Sequence, residues 1–509
     1  MKFCNSEIGI TIVVEILYNK HMDHLYRYRS IKSLFDHKEL ENLSIYFARP
    51  EELNDQMEKY MNVIWHGDEI AFQGLFKHYI YTLTHLYFAV RLRDPKMQID
   101  VENLPVFLDI KVLEAPEIKD VFKSVYDEFF SSLSIAHFPV EMAISKKKFT
   151  SDEILWVFRS INLYAYLVID TVIRTQICGQ DVFKDSELKE VYDLLKNWEG
   201  YTQILDILTD DKYSTQERSK QMLAFCLEQQ INKHFLNKVK FRDKNTHNIN
   251  VLTFDFPEKY IKNITKVLYN KHCVACFSGT FQNEPMWAHY ANNENGICLE
   301  YKVTNINESP CLRLYSVVRT YPTSDPSKWQ VFTGAHWETI LPVVYSDEYP
   351  EIDFFTSLGA LPMPIIRGFW LCNYDRSRFS ACLKNYDPIE QWRQHYHENS
   401  KKHICTKATN WSYEQEYRLF HQDFLTPISE NSENRIANYP IEDLESITFG
   451  RQVSAEDKCK IISIISKHCK GTGHTVKFYD LHYSTITKQL EREPSMAALT
   501  FGIQFSQYI

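Results

Sequence analysis

Glycine is scarce in this chain, 14 residues of 509, and no Gly-rich P-loop or dinucleotide-binding fingerprint occurs among them. Nucleotide binding through a glycine loop at a helix start is thereby excluded. Surplus basic charge is missing as well. With 57 Lys and Arg against 66 Asp and Glu, a formal net charge of -9 and a pI near 6.1, the surface as a whole is not one that coats nucleic acid. The longest basic run, "SKKKF" at Ser145 to Phe149, reads as a solvated turn.

The opening "MKFCNSEIGITIVVEILYNK" has no cationic lead and no small-residue cleavage site, and Glu7 and Glu15 break its apolar run, so no secretion signal is expected. The most apolar window, Ile154 to Ile173, contains Arg159, Asn162 and Asp170. That content predicts a buried helix rather than a membrane span, and the chain as a whole reads as cytoplasmic. Twelve cysteines are dilute at this length and are expected to stay as thiols. The one C-x-x-C, Cys273 and Cys276 in "HCVACF", has no second ligand pair at matching spacing, and on a strand its sulfurs point to opposite faces. No metal is predicted from it.

What the chain does have is apolar and aromatic mass: 44% hydrophobic residues, 31 Tyr and 32 Phe. This is enough for a large core, and the length exceeds the roughly 250 to 300 residues at which single cores stop growing. "LYRYRSIKSLFDHKELENLSIYFARPEELND" from Leu25 predicts a strand, a short helix near Ile31 to Leu40, a second strand at Leu43 to Ala48 and a polar turn ending at Asp55. From Asp68 to His247 the apolar spacing becomes helical, as in "EILWVFRSINLYAYLVIDTVI". Strand patterns return in "VACFSGTF", "GICLEYKV", "VVYSDEYP", "YRLF" and "LESITFG". The last leads into "SAEDKCKIISIISKHC", an amphipathic helix with Ser454 as N-cap and Glu456 in its first turn. The expected fold is therefore α+β. Residues 1–67 and 248–490 form a split, mostly antiparallel β core, 68–247 a large helical insertion, and 491–509 a tail.

Three stretches can carry chemistry. In "LYRYRS", strand alternation puts Tyr26 and Tyr28 on one face and Arg27 and Arg29 on the other, and an arginine near a core wants a carboxylate or a phosphate. An ordinary ion pair with Glu414 or Glu416 answers that need equally well. "FSGTFQNEPMWAHYANNENGICLEY" brings Ser278 and Thr280 at a strand end beside Trp287, His289 and Tyr290 on a helical turn, with Glu300 ending the next strand. Hydroxyls beside aromatics suit either a core edge or a ligand cleft. In "NWSYEQEYRLF", read as a strand, Glu414, Glu416 and Arg418 share a face, whereas read as a helix Glu414 and Arg418 sit one turn apart as an ordinary surface pair. In "ARPEELNDQMEKY", Asp55 as N-cap with Glu58 as its reciprocal partner needs no function.

The blocks "LYRYRS", "IYFARPEELND", "ACFSGTFQNEPMWAHYANNENGICLEY", "VVYSDEYP", "KATNWSYEQEYRLF" and "LESITFG", in this order, resemble the bacterial family known as domain of unknown function 2971. The resemblance covers Leu25 to Tyr60 and Asn250 to Leu490 and leaves the helical block as an elaboration. The order of an Arg strand, a hydroxyl strand and a Glu-x-Glu strand is also similar to the Arg, Ser and Glu signature of ADP-ribosyltransferases. That likeness implies NAD as substrate. It gives Arg27 the NAD phosphate or ribose, Ser278 the bracing of the nicotinamide pocket and Glu416 the nicotinamide ribose hydroxyl. Glu414 would orient the acceptor, and Tyr28 or Trp287 would stack on nicotinamide. Tyr26, His289, Tyr290 and Arg418 complete the expected binding set. This chain carries Ser278-Gly279-Thr280 where such transferases carry Ser-Thr-Ser, and it adds Arg418 beside the glutamates.

Three readings follow. One is an NAD-consuming transferase or glycohydrolase of the toxin or phage-defence type, acting on an acceptor, protein or nucleic acid, that the sequence does not specify. The second is a non-catalytic ligand- or protein-binding module, with protein contacts made through the helical block. Ranked last is a metal-dependent nuclease or hydrolase built on Asp55, Glu58, His289 and Glu300.

Overall fold

A computed structural model of the chain describes residues 22–90, 116–184, 186–236, 250–323, 329–423, 428–429 and 431–499. The reading of Met1 to Lys20 as lacking a leader lies outside these residues. The chain forms an α+β fold of two compact units. One comprises Met1–Met61, Lys271–Pro350 and Lys401–Ile509, the other Asn62–Asn270 and Glu351–Ser400, wider bounds than the 68–247 expected for the helical block.

The helical unit includes helices Glu69–Phe88, Pro116–Phe129, Leu133–Ser145, Ser151–Gln176 and Gly200–Thr209, beside a small sheet of Val63–Trp65, Phe149–Thr150 and Ile352–Asp353. Ser151–Gln176 begins with a reciprocal capping box between Thr150 and Glu153. Among the described residues it is the one helix long and apolar enough to cross a membrane, and most of its apolar window is buried within the protein. Its polar residues are placed for burial. Asn162 donates to the carbonyls of Leu252 and Thr253 at 3.0 and 2.7 Å and accepts from the Tyr79 hydroxyl at 2.7 Å. Asp170 accepts from the Tyr87 hydroxyl at 2.6 Å, whereas Arg159 makes a surface pair with Glu258 at 2.8 Å. These bonds satisfy groups that lipid would leave unpaired.

The other unit is built on an eight-stranded sheet. Its strands, in spatial order, are Leu341–Pro342, Glu416–Gln422, His272–Ser278, His24–Ser30, Gly296–Lys302, Leu444–Phe449, Lys477–Ser484 and Gln489–Pro494. The chain's first described strand thus lies between two strands from some 250 residues later. Pairing is antiparallel except between Leu444–Phe449 and Lys477–Ser484, which are joined by the helix Ala455–Cys469 capped by Ser454. A parallel pair needs such a crossover. One face packs Leu25, Phe277, Leu299, Leu419 and Ile447 against that helix and against a second sheet containing Leu312, Leu314 and Ala437. Cys273 lies in this core and Cys276 on the opposite face, both as free thiols, as strand alternation requires.

Several local expectations change. The helix after the first strand ends at Asp36, and the second strand shrinks to Ser44–Tyr46, with Ala48 bridging to Val274. Residues from 491 do not begin a tail: they complete the edge strand Gln489–Pro494, because Arg492 reaches back to Glu300 at 2.8 Å. Residues 500–509 lie outside the described set. The largest change concerns "NWSYEQEYRLF". Thr409–Glu414 is a 3-10 turn, Gln415 adopts a left-handed conformation with φ 46°, and the strand begins only at Glu416. Glu414 is therefore not a strand residue.

Replacing Asn162 with Ala removes its bonds to the Tyr79 hydroxyl and to the Leu252 and Thr253 carbonyls, each contributing about 0.5 to 1.5 kcal/mol. The expected result is a loss of about 2 to 4 kcal/mol of stability, read as a lower denaturant midpoint for the helical unit with an unchanged slope.

Candidate functional site

The strands His24–Ser30 and His272–Ser278 pair at one register position, Tyr26 with Ser278, while Ala48 takes over the pairing at Val274. Between these two points the sheet is open. The opening is a cleft of about 320 Å³, lined by Arg27, Tyr28, Ser278, Tyr290, Glu414 and Glu416 among others. That volume is at the small end for ligand pockets and accommodates a nucleoside-sized group. Because the opening passes between strands, residues of opposite alternation can line it together. Glu416, Ser278, Tyr26 and Glu300 are aligned across four strands on one face, with Arg27 on the other.

A buried ionic cluster forms one wall. Arg418 Nε donates to Glu416 Oε1 at 2.7 Å, its Nη2 bonds Glu58 and reaches Glu416 Oε2 at 3.2 Å, and its Nη1 bonds the Ile404 carbonyl. Lys407 Nζ donates to Glu414 Oε2 at 2.6 Å and Glu416 Oε2 at 3.0 Å. Tyr290 donates to Glu414 Oε1 at 2.7 Å. Two cations thus face three carboxylates, leaving one formal negative charge on this wall. Burial pushes the Glu416 carboxyl up, but Arg418 and Lys407 outweigh burial and hold it down at about 2. Burial opposes the charged form of Lys407 too, and Glu416, Glu58 and Glu414 more than offset it, so the ammonium stays protonated. For Glu58 and Glu414 burial wins, and both are raised. Glu416, with its lowered value, stabilises the fold above the ordinary carboxylate range and loses that contribution as pH falls toward about 2.

The opposite wall carries Arg27. It is 8% exposed, its Nη2 donates to the Tyr46 carbonyl at 3.3 Å, and its Nη1 has no partner. Its neighbour Arg29 is satisfied by Glu39, with Nε to Oε2 at 2.8 Å. The expected pairing of Arg27 with Glu414 or Glu416 is not made: Lys407 and Arg418 take those carboxylates.

The remaining residues of the expected set divide between the cleft and its surroundings. Ser278 lines the cleft, with its hydroxyl donated to the Glu414 carbonyl at 2.8 Å. Tyr26 donates to Glu300 at 3.0 Å, and Tyr28 donates to the Thr280 carbonyl at 2.8 Å. Trp287 is fully buried, edge-on to Tyr28 at 5.2 Å, so it backs the cleft without lining it. His289 is exposed at the end of the helix Glu284–His289 and lies outside the lining. Asp55 caps Met57, but Glu58 does not return the bond, because Arg418 holds it.

Asp55, Glu58 and Glu300 are committed separately, Glu300 to Tyr26, Ser446 and Arg492, and His289 is exposed apart from them. Among the described residues, the one group of His, Cys, Asp and Glu side chains close enough to share a cation is His336, Glu338 and His421. Lys407 was not foreseen as a site residue. It opens the "KATNWSYEQEYRLF" block, but its reach to Glu414 and Glu416 depends on the 3-10 turn that folds residues 409–414 back.

No family model, curated protein or solved structure gives a significant match to the chain. The likeness to the family of domain 2971 and to the Arg, Ser and Glu pattern therefore stands on the motifs alone.

Arg418→Met removes the cation between Glu58 and Glu416 and is expected to cost about 3 to 5 kcal/mol. In the double variant with Glu58→Gln, part of this returns, giving a non-additive cycle in thermal or denaturant melting. Additive losses would show that Glu58 and Arg418 do not interact as described.

Proposed function

We propose that this cleft binds the nicotinamide-ribose end of NAD and cleaves its glycosidic bond, as an ADP-ribosyltransferase or NAD glycohydrolase. The observation that carries the reading is the charge arrangement of one cleft. A buried guanidinium with an unpartnered nitrogen stands on one wall, and a carboxylate cluster with one formal negative charge in excess stands on the other. A phosphate complements the first wall. The oxocarbenium-like sugar that forms as nicotinamide departs complements the second.

In this reading Glu416 stays ionised without reorganisation, because Arg418 and Lys407 fix both of its oxygens before substrate arrives. Its role is to stand beside the ribose as positive charge develops there. Glu414, held by Lys407 and Tyr290, faces the acceptor side, water or a macromolecular nucleophile. The Ser278 hydroxyl fixes the backbone at Glu414 and so sets where that carboxylate sits. Tyr28 supplies an aromatic surface within the lining. A toxin or phage-defence role in the cytoplasm accords with destructive NAD consumption and is part of the same proposal.

A second reading is favoured by one feature of the same site. Both oxygens of Glu416 are already engaged by cations, which suits a rigid, non-catalytic binding pocket. The two readings part on turnover. Incubated with NAD, the full chain is expected to release nicotinamide, and Glu416→Gln, verified as folded, is expected to lower the rate by about 10²-fold or more. Arg27→Ala should chiefly raise KM. An NAD-dependent rise in melting temperature without release would select the binding module. Neither release nor a melting shift would remove NAD from consideration.

A further inference from the structure

His336 and Glu338 lie two residues apart on the strand Trp329–Thr339, and strand alternation directs both to one face. Opposite Leu314 and Leu312 in the hairpin register, that face turns toward the core between the two sheets. His421 comes from the Glu416–Gln422 strand of the large sheet, on the same face as the core residue Leu419 and away from Glu416. The three side chains meet there. Glu338 Oε2 is 3.4 Å from His336 Nε2 and 3.7 Å from His421 Nε2, and all three candidate ligand atoms lie within 4.8 Å of one another.

Two observations say that this is more than a salt bridge. The His421 ring is 7% exposed and stacked on Phe47 at 4.1 Å, yet neither of its nitrogens has a hydrogen-bond partner. A buried imidazole in that condition gives up a bond at each nitrogen unless something else binds it. His336 shows the complementary feature. Its Nδ1 lies 3.4 Å from the Gly334 carbonyl, and its Nε2 faces the cluster. A backbone carbonyl on the distal nitrogen is the outer-shell arrangement of metal-bound histidines.

The spacing agrees. Bonds of about 2.0 to 2.1 Å in a tetrahedron separate neighbouring ligand atoms by roughly 3.3 to 3.4 Å; the 3.4 and 3.7 Å from Glu338 to the two rings need only a small inward adjustment, and the two imidazole nitrogens, within 4.8 Å of each other, close by rotation of the partly exposed His336. We propose that His336, Glu338 and His421 form a divalent transition-metal site of the zinc class, tying the Trp329–Thr339 hairpin strand to the large sheet. Two imidazoles and one carboxylate are the donors such an ion prefers, whereas magnesium and calcium take all-oxygen sets. His336 and Glu338 keep about a quarter of their side chains exposed, so water can reach a fourth position. The sequence offered half of this signal in the His-x-Glu alternation, and the third ligand is 83 positions away.

The test uses the full chain, stripped with a chelator and titrated calorimetrically with Zn²⁺ at neutral pH, with Mg²⁺ as control. The expected result is one equivalent of Zn²⁺ per chain, a melting temperature that rises with Zn²⁺ and not with Mg²⁺, and a tetrahedral ligand-field spectrum when Co²⁺ is substituted. His336→Ala and Glu338→Gln, both at partly exposed positions, are each expected to lose affinity by about 100-fold or more, beyond what removing an outer-shell partner costs. If one variant does not fold, the other and the Co²⁺ spectrum of the wild type decide. Absence of stoichiometric Zn²⁺ binding, undiminished binding in a folded variant, or equal binding of Mg²⁺ would each overturn the proposal. Nicotinamide release plays no part in these readouts, so the site stands or falls independently of NAD cleavage.

Discussion

The cleft depends on a buried guanidinium. Arg418 is 2% exposed, and a charge in that position is tolerated only when its donors are filled. It recruits Glu416 from its own strand, Glu58 from the segment after the first two strands, and the Ile404 carbonyl. Segments 14 and 360 residues away are thereby fixed relative to one side chain. Lys407 then bridges Glu416 to Glu414, and Tyr290 closes the far side. The network is worth little as a source of net stability, since an apolar replacement of similar volume could do as well. Its effect is to specify one arrangement of acidic groups beside an opening in the sheet.

That opening has its own cause. Where Ala48 displaces the His24–Ser30 strand from Val274, the sheet loses the continuous ladder that would otherwise fill the gap. Arg27 and Arg29 stand on the same face two residues apart, but only Arg29 finds a carboxylate, Glu39. The first helix ends early enough for the chain to bring Glu39 back beside Arg29. Arg27 is left with one backbone carbonyl and the Phe277 ring at 5.9 Å, so its unmet donor is directed by packing rather than by a protein anion. In the proposed function a ligand phosphate completes it.

Much of the fold was legible because long period-2 and period-3.6 stretches leave little choice: "LYRYRS", "HCVACFS" and "GICLEYK" became neighbouring strands, and the Ser151–Gln176 helix kept Asn162 and Asp170 for buried bonds. The site was legible in residue identity more than in geometry. Glu414, read as a strand residue, reaches Lys407 through a 3-10 turn and a left-handed Gln415, a local conformation that a pattern of alternating residues does not announce. Glu58 looked complete as a capping partner, and only the fold shows that Arg418 claims it. His289 looked like a site residue by its neighbours, but the six-residue helix turns it to solvent. Such residues are decided by long-range pairing, which spacing along one segment cannot encode.

The Glu416–Gln422 strand carries the cleft and the proposed metal site on its two faces: Glu416 lines the cleft with Arg418 behind it on the same face, while Leu419 and His421 turn to the core. A slip of one residue against the Ser278 strand would exchange those faces, burying the carboxylate in the apolar core and turning Leu419 into the cleft. Register is therefore the variable on which the cleft chemistry rests. On the cleft side it is set by Arg418 and Glu58, and on the core side by Leu419 and the packing of His421 on Phe47. A metal held by His336, Glu338 and His421 would add a directional bond to the second set. An apolar contact tolerates small shifts along the strand, whereas a coordinated imidazole does not. A rigid anchor five residues from Glu416 would thus hold the carboxylate in its row with Ser278 and Tyr26 without touching the cleft.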